Sequence, residues 1–343
     1  VRVLVTGGAG FIGSHFTRLL LSDALPGLSV SAVTVLDLLT YAGDPGVPAA
    51  LEGDPRFRFV RGDVCDAGLV ASLTAEADAV VHFAAESHVD RSIEGAADFV
   101  RTNVLGTQTL LEGALRGGVG RFVHVSTDEV YGSIASGSWT EDRPLEPNSP
   151  YAASKAASDL MARAYHRTHG LDVRTTRCCN NYGPGQFPEK VIPLFTTNLL
   201  DGEPVPLYGD GGNVREWVHV EDHCRGIALV LAGGRAGAVY NIGGGTELSN
   251  RELTGRLLAA CGADWSSVRS VPDRKGHDLR YSLDDGLIRR ELGYRPRVGF
   301  DAGLAGVVGW YRENRGWWEP LKKGRAGGSG SDARAAAAPG GAG

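Results

Sequence analysis

Short apolar runs separated by stretches of helical length dominate the first half of the chain. Residues 1–5 read Val-Arg-Val-Leu-Val, and residues 32–36 read Ala-Val-Thr-Val-Leu before Asp37. Residues 79–83 and 122–125 are two more such runs. Residues 56–61 alternate as Arg-Phe-Arg-Phe-Val-Arg, the pattern of a half-exposed strand. Between these runs, residues 13–21 and 96–115 have helical length and pattern. The alternation predicts an α/β fold with a Rossmann-like, doubly wound parallel sheet. Ligands of such a sheet gather at the carboxyl ends of its strands.

From about Cys178 the texture changes, and Gly, Pro, Asn and aromatic residues punctuate the chain, as in Asn180-Asn181-Tyr182-Gly183-Pro184-Gly185. Residues 1–178 are therefore expected to form a dinucleotide-binding domain that also carries the catalytic residues. Residues 179–322 are expected to form mainly a smaller, mixed α/β C-terminal lobe for substrate, with some segments returning to the first domain. Residues 310–318 read as a last amphipathic segment. Residues 323–343 are almost all Gly, Ala, Ser and Arg, cannot bury a core, and are expected to be a disordered tail.

Composition narrows the function classes. A chain of 343 residues with 42% hydrophobic and 22% charged residues is ordinary for a large globular enzyme. A net charge of -5 leaves no electrostatic footprint for nucleic acid. No apolar run reaches the roughly 20 residues that span a bilayer, so no membrane partner is expected. The chain enters directly on a strand, which gives the expectation of no signal peptide and a cytoplasmic enzyme. Cys65, Cys178, Cys179, Cys224 and Cys261 are odd in number and form no Cys-x-x-Cys, which fits reduced thiols. The nine histidines lack metal-ligand spacing, so no metal is expected.

Two constellations carry chemistry. Gly7-Gly8-Ala9-Gly10-Phe11-Ile12-Gly13 follows the first strand and opens a helix, so a pyrophosphate can approach the backbone and sit on the helix N-terminus. Asp37 lies 24 residues after Gly13 and can accept from both ribose hydroxyls of an adenosine. It would repel a 2′-phosphate, and no arginine stands in the following Leu38-Leu39-Thr40, so NAD is favoured over NADP. Asp63-Val64 can reach the adenine, and Phe83-Ala84-Ala85 offers small residues where a cofactor passes close.

The second constellation joins Thr127-Asp128-Glu129 to Tyr151-Ala152-Ala153-Ser154-Lys155, with Glu129 22 residues before Tyr151. Tyr151 and Lys155 share one face of a helix that Pro150 can start. A nearby ammonium and a nicotinamide cation are expected to lower the tyrosine pKa toward neutrality, making it a base for a sugar hydroxyl. An adjacent acid and base extend this from oxidation to loss of water.

With His82-Phe83-Ala84-Ala85-Glu86-Ser87, these motifs resemble the extended short-chain dehydrogenase/reductases. Thr127-Asp128-Glu129 narrows the resemblance to the nucleotide-sugar 4,6-dehydratases. Pro188-Glu189-Lys190, Leu207-Tyr208-Gly209-Asp210-Gly211, Arg215-Glu216-Trp217-Val218-His219 and Arg274-Lys275-Gly276-His277-Asp278 point further to members that act on dTDP-glucose in deoxysugar pathways feeding antibiotic glycosylation. The resemblance covers about residues 1–322. It implies that Tyr151, helped by Lys155, deprotonates the 4-hydroxyl while hydride passes from C4 to NAD. Glu129 would then remove the C5 proton, Asp128 protonate the departing 6-hydroxyl, and Thr127 bond the C4 oxygen. Hydride returns to C6, so NAD is recycled and retained.

A sugar diphosphate also needs cations and stacking. Arg215 and Arg274 are the diphosphate candidates, because a guanidinium holds two oxygens at once. Lys190 and Asn180 are expected near the diphosphate and sugar. Tyr208 and the Pro206–Leu207 backbone are expected to face the base. Asn250, His277 and Tyr281 join them, and Val191 stands at an apolar position beside Lys190. Ser87 is placed for a sugar hydroxyl or a phosphate, and Glu189 either binds sugar or caps a turn.

Rival readings are a nucleotide-sugar 4-epimerase, a dehydratase of GDP-mannose or CDP-glucose, and a non-catalytic NAD or sugar-nucleotide sensor. The epimerase needs no elimination pair, and the sensor needs no Tyr-Lys pair. By analogy with the superfamily, residues 96–115 and 152–165 are expected to make a homodimer contact.

Overall fold

The computed structural model describes residues 1–25, 27–273 and 276–327. The apolar runs form β1 (Arg2–Thr6), β2 (Ala32–Asp37), β3 (Phe57–Arg61), β4 (Ala79–His82) and β5 (Arg121–Thr127). After them come β6 (Val173–Cys178), β7 (Asn180–Tyr182), β8 (Val205–Tyr208), β9 (Val214–His219), β10 (Val239–Ile242), β11 (Thr246–Ser249) and β12 (Val268–Val271). The main sheet has seven strands in the order β10-β6-β5-β4-β1-β2-β3. Every pairing in it is parallel. Chain direction across the sheet reverses between β1 and β4, which opens a cleft at their carboxyl ends.

One apolar layer, with Phe16, Val33, Val81, Val123, Ile227 and Tyr240, covers one face of the sheet. A second, with Leu4, Val80, Leu110, Phe122 and Ala162, covers the other. Each such buried side chain contributes about 1.5–3 kcal/mol. Strand β6 departs from this apolar rule. Its Val-Arg-Thr-Thr-Arg-Cys is buried throughout. Arg174 goes inside because it pairs with Asp172 at 2.8 Å and donates to the Val230 and Leu231 carbonyls. Arg177 does so because it meets Asp159 at 2.8 Å. Buried charge is tolerated when it is paired and bonded in this way.

The helix Pro150–His169 begins as Pro150 suggests. Ser149 caps it by accepting from the Ala152 N–H at 3.1 Å, and Gly170 ends it in a left-handed conformation. The segment from Ala97 to Gly117 is helical throughout, but its middle, Val100–Gly106, has the wider π-turn. Such turns often mark functional positions. Here the turn directs Asn103 Nδ2 to the Ser154 hydroxyl at 2.8 Å, while Asn103 Oδ1 accepts from the Glu86 N–H at 2.9 Å.

The smaller lobe holds a three-stranded sheet, β11-β9-β7, and the pair β12-β8. Its core gathers Ile192, Phe195, Trp217, Leu257, Phe300, Tyr311 and Trp318. Strand β10 leaves this lobe to join the main sheet beside β6. The last helix, Arg315–Gly327, runs past residue 323, where a disordered tail was expected to begin. Lys, Arg and Ala in this stretch are good helix formers. Residues 328–343 of the expected tail lie outside the described residues. Among the described residues no helix is long and apolar enough to cross a membrane, and no group of three or more His, Cys, Asp or Glu is placed to hold a metal ion.

Candidate active site

The turn after β1 is built for close approach. Gly7 has φ +72°, and a Cβ there would lie 2.6 Å from the Ala84 nitrogen. A Cβ on Gly13 would lie 2.2 Å from the Gly7 carbonyl oxygen. The turn, the first turn of the helix Phe11–Leu21 and the strand end at Ala84 therefore pack backbone to backbone. Asp37 closes β2 with both oxygens oriented: Oδ1 accepts from the Leu39 N–H at 2.8 Å and Oδ2 from the Ala9 N–H at 3.0 Å. Burial pushes its carboxyl up, against these two bonds. Asp63 is fixed by the Cys65 N–H at 2.8 Å and by Arg101 at 2.9 Å.

One cavity runs from these residues to the catalytic pair. It is lined by Gly7, Gly10, Phe11, Ile12, Gly13, Asp37, Thr40, Asp63, Val64, Phe83, Ala84 and Ala85, and it continues past Thr127, Asp128 and Glu129 to Tyr151 and Lys155. A glycine cradle, an oriented carboxylate and a small-residue strand end fit a dinucleotide, and these residues would hold NAD. Ser87, Asn180, Glu189, Lys190 and Val191 line the same cavity.

Thr127 ends β5 and caps the short 3-10 turn Asp128–Tyr131 by accepting from the Glu129 N–H at 3.3 Å. Its hydroxyl donates to Asp128 Oδ1 at 3.2 Å. Asp128 is 1% exposed, and its Oδ2 has no hydrogen-bond partner. Burial, then the charges of Glu129 and Glu216, hold its carboxyl well above the usual range. Asp128 is thus a buried carboxyl group beside a second one, an environment that favours its protonated form.

Tyr151 and Lys155 are both buried on the helix Pro150–His169. The Lys155 ammonium donates to the Val125 carbonyl at 2.8 Å, and burial pushes its pKa down to about 8. For Tyr151 the sequence expectation joins the ammonium to a nicotinamide cation, and the protein's own groups act the other way. Burial first, then Glu129, Cys178 and Asp128, raise its pKa well above the ordinary value, with only the Thr127 hydroxyl opposing. Within the protein itself burial is the largest of these effects.

Glu189 is 7% exposed and accepts from the Tyr41 hydroxyl at 3.1 Å and from Arg91 at 3.4 Å. Arg91 in turn lies over the Tyr41 ring at 3.8 Å. Lys190 Nζ donates to the Ser87 carbonyl at 2.8 Å. Two neighbours of the smaller lobe therefore reach across to the main sheet. Sequence reasoning missed Tyr41 and Arg91, which carry no motif of their own.

The remaining substrate candidates do not line this cavity, although the Arg215 charge acts on Asp128 and that of Glu129 on Tyr281. Tyr208 is exposed and meets His277 edge to face at 6.4 Å. Arg215 lies over the Tyr281 ring at 4.2 Å and donates to the Val214 and Asp278 carbonyls at 2.8 and 3.0 Å. Pro206 is in β8, and Asn250 opens the helix Asn250–Cys261 with its N–H on the Asn213 carbonyl at 2.9 Å. They form a second group around the ends of β8 and β9. Arg274 lies outside the described residues. Ser126, Cys178, Asn181, Gln186 and Phe187 also line the cavity and were not singled out from sequence. All five cysteines are free.

A Rossmann sheet whose strand ends bring a dinucleotide cradle, a Tyr-Lys helix and a buried acid beside a carboxylate into one cavity defines a nucleotide-sugar dehydratase class of extended dehydrogenase. Residues 4–307 match the family model described as GDP-mannose 4,6 dehydratase, and the chain belongs to that family. It is 64% identical over 322 residues to a dTDP-glucose 4,6-dehydratase of Streptomyces niveus, covering 94% of this chain and 96% of the relative. It is 65% identical over 328 residues to that of Streptomyces antibioticus, covering 95% and 97%. Among solved structures, DesIV, a dTDP-glucose 4,6-dehydratase from Streptomyces venezuelae with NAD and TYD bound, superposes with a TM-score of 0.93 at 73% identity, covering 94% of this chain and 100% of that one.

Proposed function

We propose that this protein is a dTDP-glucose 4,6-dehydratase that uses NAD and converts dTDP-glucose to dTDP-4-keto-6-deoxyglucose plus water. The observation that carries the reading is the buried Asp128, with Oδ2 free of a hydrogen-bond partner, beside Glu129 on the cavity of Tyr151 and Lys155. An epimerase has no use for such a pair.

NAD, when bound, supplies the hydride acceptor and a positive ring beside Tyr151. That charge opposes the carboxylates that raise the phenol, so Tyr151 can accept the 4-hydroxyl proton with Lys155 behind it. The Thr127 hydroxyl, now on Asp128, is in place to bond the C4 oxygen as charge develops there. Glu129 takes the proton at C5, made acidic by the C4 ketone. Asp128, whose burial favours the protonated form, gives the leaving 6-hydroxyl its proton. Glu189, Lys190 and Asn180 hold the sugar end, and Arg215, Tyr208, His277, Tyr281 and Asn250, with Arg274, hold the diphosphate and base.

The same reading takes residues 1–178 as the cofactor domain and most of 179–322 as the substrate lobe. It also takes the protein as a homodimer. Val100, Leu105 and Leu160, exposed by 55%, 47% and 53%, lie on the two long helices that the superfamily analogy pairs.

The test is incubation with dTDP-glucose in deuterated water, with and without added NAD. Loss of water with one deuterium at C5 is expected. Unchanged mass with dTDP-galactose appearing would mean an epimerase. No reaction in either arm would remove the thymidine assignment and direct the same assay to GDP-mannose and CDP-glucose.

A further inference from the structure

The two halves of the catalytic machinery sit on different elements. Tyr151 and Lys155 ride on the helix Pro150–His169, while Asp128 and Glu129 ride on the turn Asp128–Tyr131. One buried guanidinium touches both. Arg177, in β6, donates through Nε to Asp159 Oδ2 at 2.8 Å, and Asp159 stands one helical turn after Lys155. Its Nη1 donates to the Tyr131 hydroxyl at 2.8 Å, and Tyr131 is the last residue of the acid–base turn.

Both ends are held from behind. Asp159 Oδ1 bonds His124 Nε2 at 3.0 Å. The Tyr131 hydroxyl donates to Asn241 Oδ1 at 2.9 Å, its ring stacks on Trp139 at 5.4 Å and 17°, and Asn241 Nδ2 donates to the Trp139 carbonyl at 2.9 Å. Arg177, Asp159, Tyr131, His124 and Asn241 are all buried. None of the five lines the cavity.

We propose that Arg177 is a positioning residue that fixes the acid–base turn relative to the redox helix by bonding Tyr131 on one and Asp159 on the other. A planar guanidinium holds two partners on separate nitrogens in a fixed geometry, whereas an ammonium offers its donors from a single nitrogen on a flexible stem. If either element shifts, a charged donor is left buried without its acceptor, so the pair of distances is strongly favoured. The sugar must offer its C4 to one element and its C5 and C6 to the other, so the spacing decides whether both steps act on one bound molecule. This rests on the dehydratase reading above.

The test separates the two half-reactions in a single turnover of holoenzyme with dTDP-glucose. NADH absorbance reports oxidation at C4, and mass analysis in deuterated water reports C5 exchange and water loss. Wild-type turnover in the same assay tests the dehydratase reading on its own. Tyr131→Phe keeps the ring on Trp139 but removes the acceptor for Arg177. It should slow exchange and water loss by roughly 10- to 100-fold, the scale of a small misplacement of catalytic groups, with NADH formation nearly unchanged. Arg177→Lys, which offers its donors from a single nitrogen, should give the same split. Parallel loss of both half-reactions, no change in either, or failure of both variants to fold would overturn the proposal and leave Arg177 a structural residue.

Discussion

Asp128 and Glu129 are adjacent on one short turn, Asp128 buried and Glu129 half-buried, and both line the same cavity. Asp128 has an oxygen without a partner and is pushed well up by burial first and by Glu129 second. A buried carboxyl group held up beside a more exposed one fits an acid next to a base.

Replacing Asp128 by Asn should remove the proton donor for the 6-hydroxyl while leaving oxidation at C4. General acid catalysis is worth about 10²–10⁴-fold, so water loss should fall by that much while NADH still forms. The pH dependence carries the sign. The acid works while protonated, so water loss in the parent should decline as pH rises through the raised pKa of Asp128. That limb should vanish in the Asn variant, and a single-turnover pH series checks it.

Glu129→Gln should trap the enzyme one step earlier. Bound NAD should be reduced by the sugar, but C5 should not exchange with solvent and no water should leave. Normal turnover of this variant would show that the base lies elsewhere.

A second pH effect belongs to Lys155, whose ammonium is pushed down to about 8 by burial. Below about 8 it is charged and supports the Tyr151 phenolate; above it the support is lost. The rate of NADH formation should therefore fall on the alkaline side near this value, and Lys155→Met should lose both the limb and most of the rate. A flat profile through this range would mean that Lys155 acts only through its bond to the Val125 carbonyl.

The cofactor end makes its own prediction. Asp37 is pre-oriented by the Leu39 and Ala9 N–H groups, so its free lone pairs aim at the cavity. Bonds to a charged acceptor are worth about 1.5–3 kcal/mol, or roughly 10- to 100-fold in affinity. Purified Asp37→Ala should carry far less NAD than the parent, and added NAD should restore its turnover. NAD content equal to that of the parent would remove Asp37 from the ribose site.

The sequence carried the parts of this architecture that depend on local pattern. The first five strands of the main sheet are apolar runs, and Gly7, Gly10 and Gly13 stand where backbone meets backbone. What depends on distant partners was not legible. Strand β6 reads as polar because its arginines are neutralised by Asp172 and Asp159. Tyr41 and Arg91 matter only because Glu189 arrives 148 and 98 residues later. The burial of Tyr151 was not legible for the same reason. The ammonium four residues away is visible in the sequence, but the burial and the carboxylates around the phenol are set by the fold.

The paired long helices yield the last prediction. Val100 and Leu105 on one, and Leu160 on the other, are exposed large apolar side chains beside a buried seam where Ser158 donates to the Asn103 carbonyl at 2.6 Å. Large apolar side chains grouped on an exposed face mark an association surface. Burying them against a second copy gains about 25 cal/mol for each Å² of apolar area removed from water. On that reading a guanidinium at position 160 would bring a charge into the contact between the two copies. Sedimentation of the parent should give twice the chain mass, and Leu160→Arg should give the mass of one chain. A parent that sediments as a monomer at working concentration would show that these side chains serve something other than a second copy.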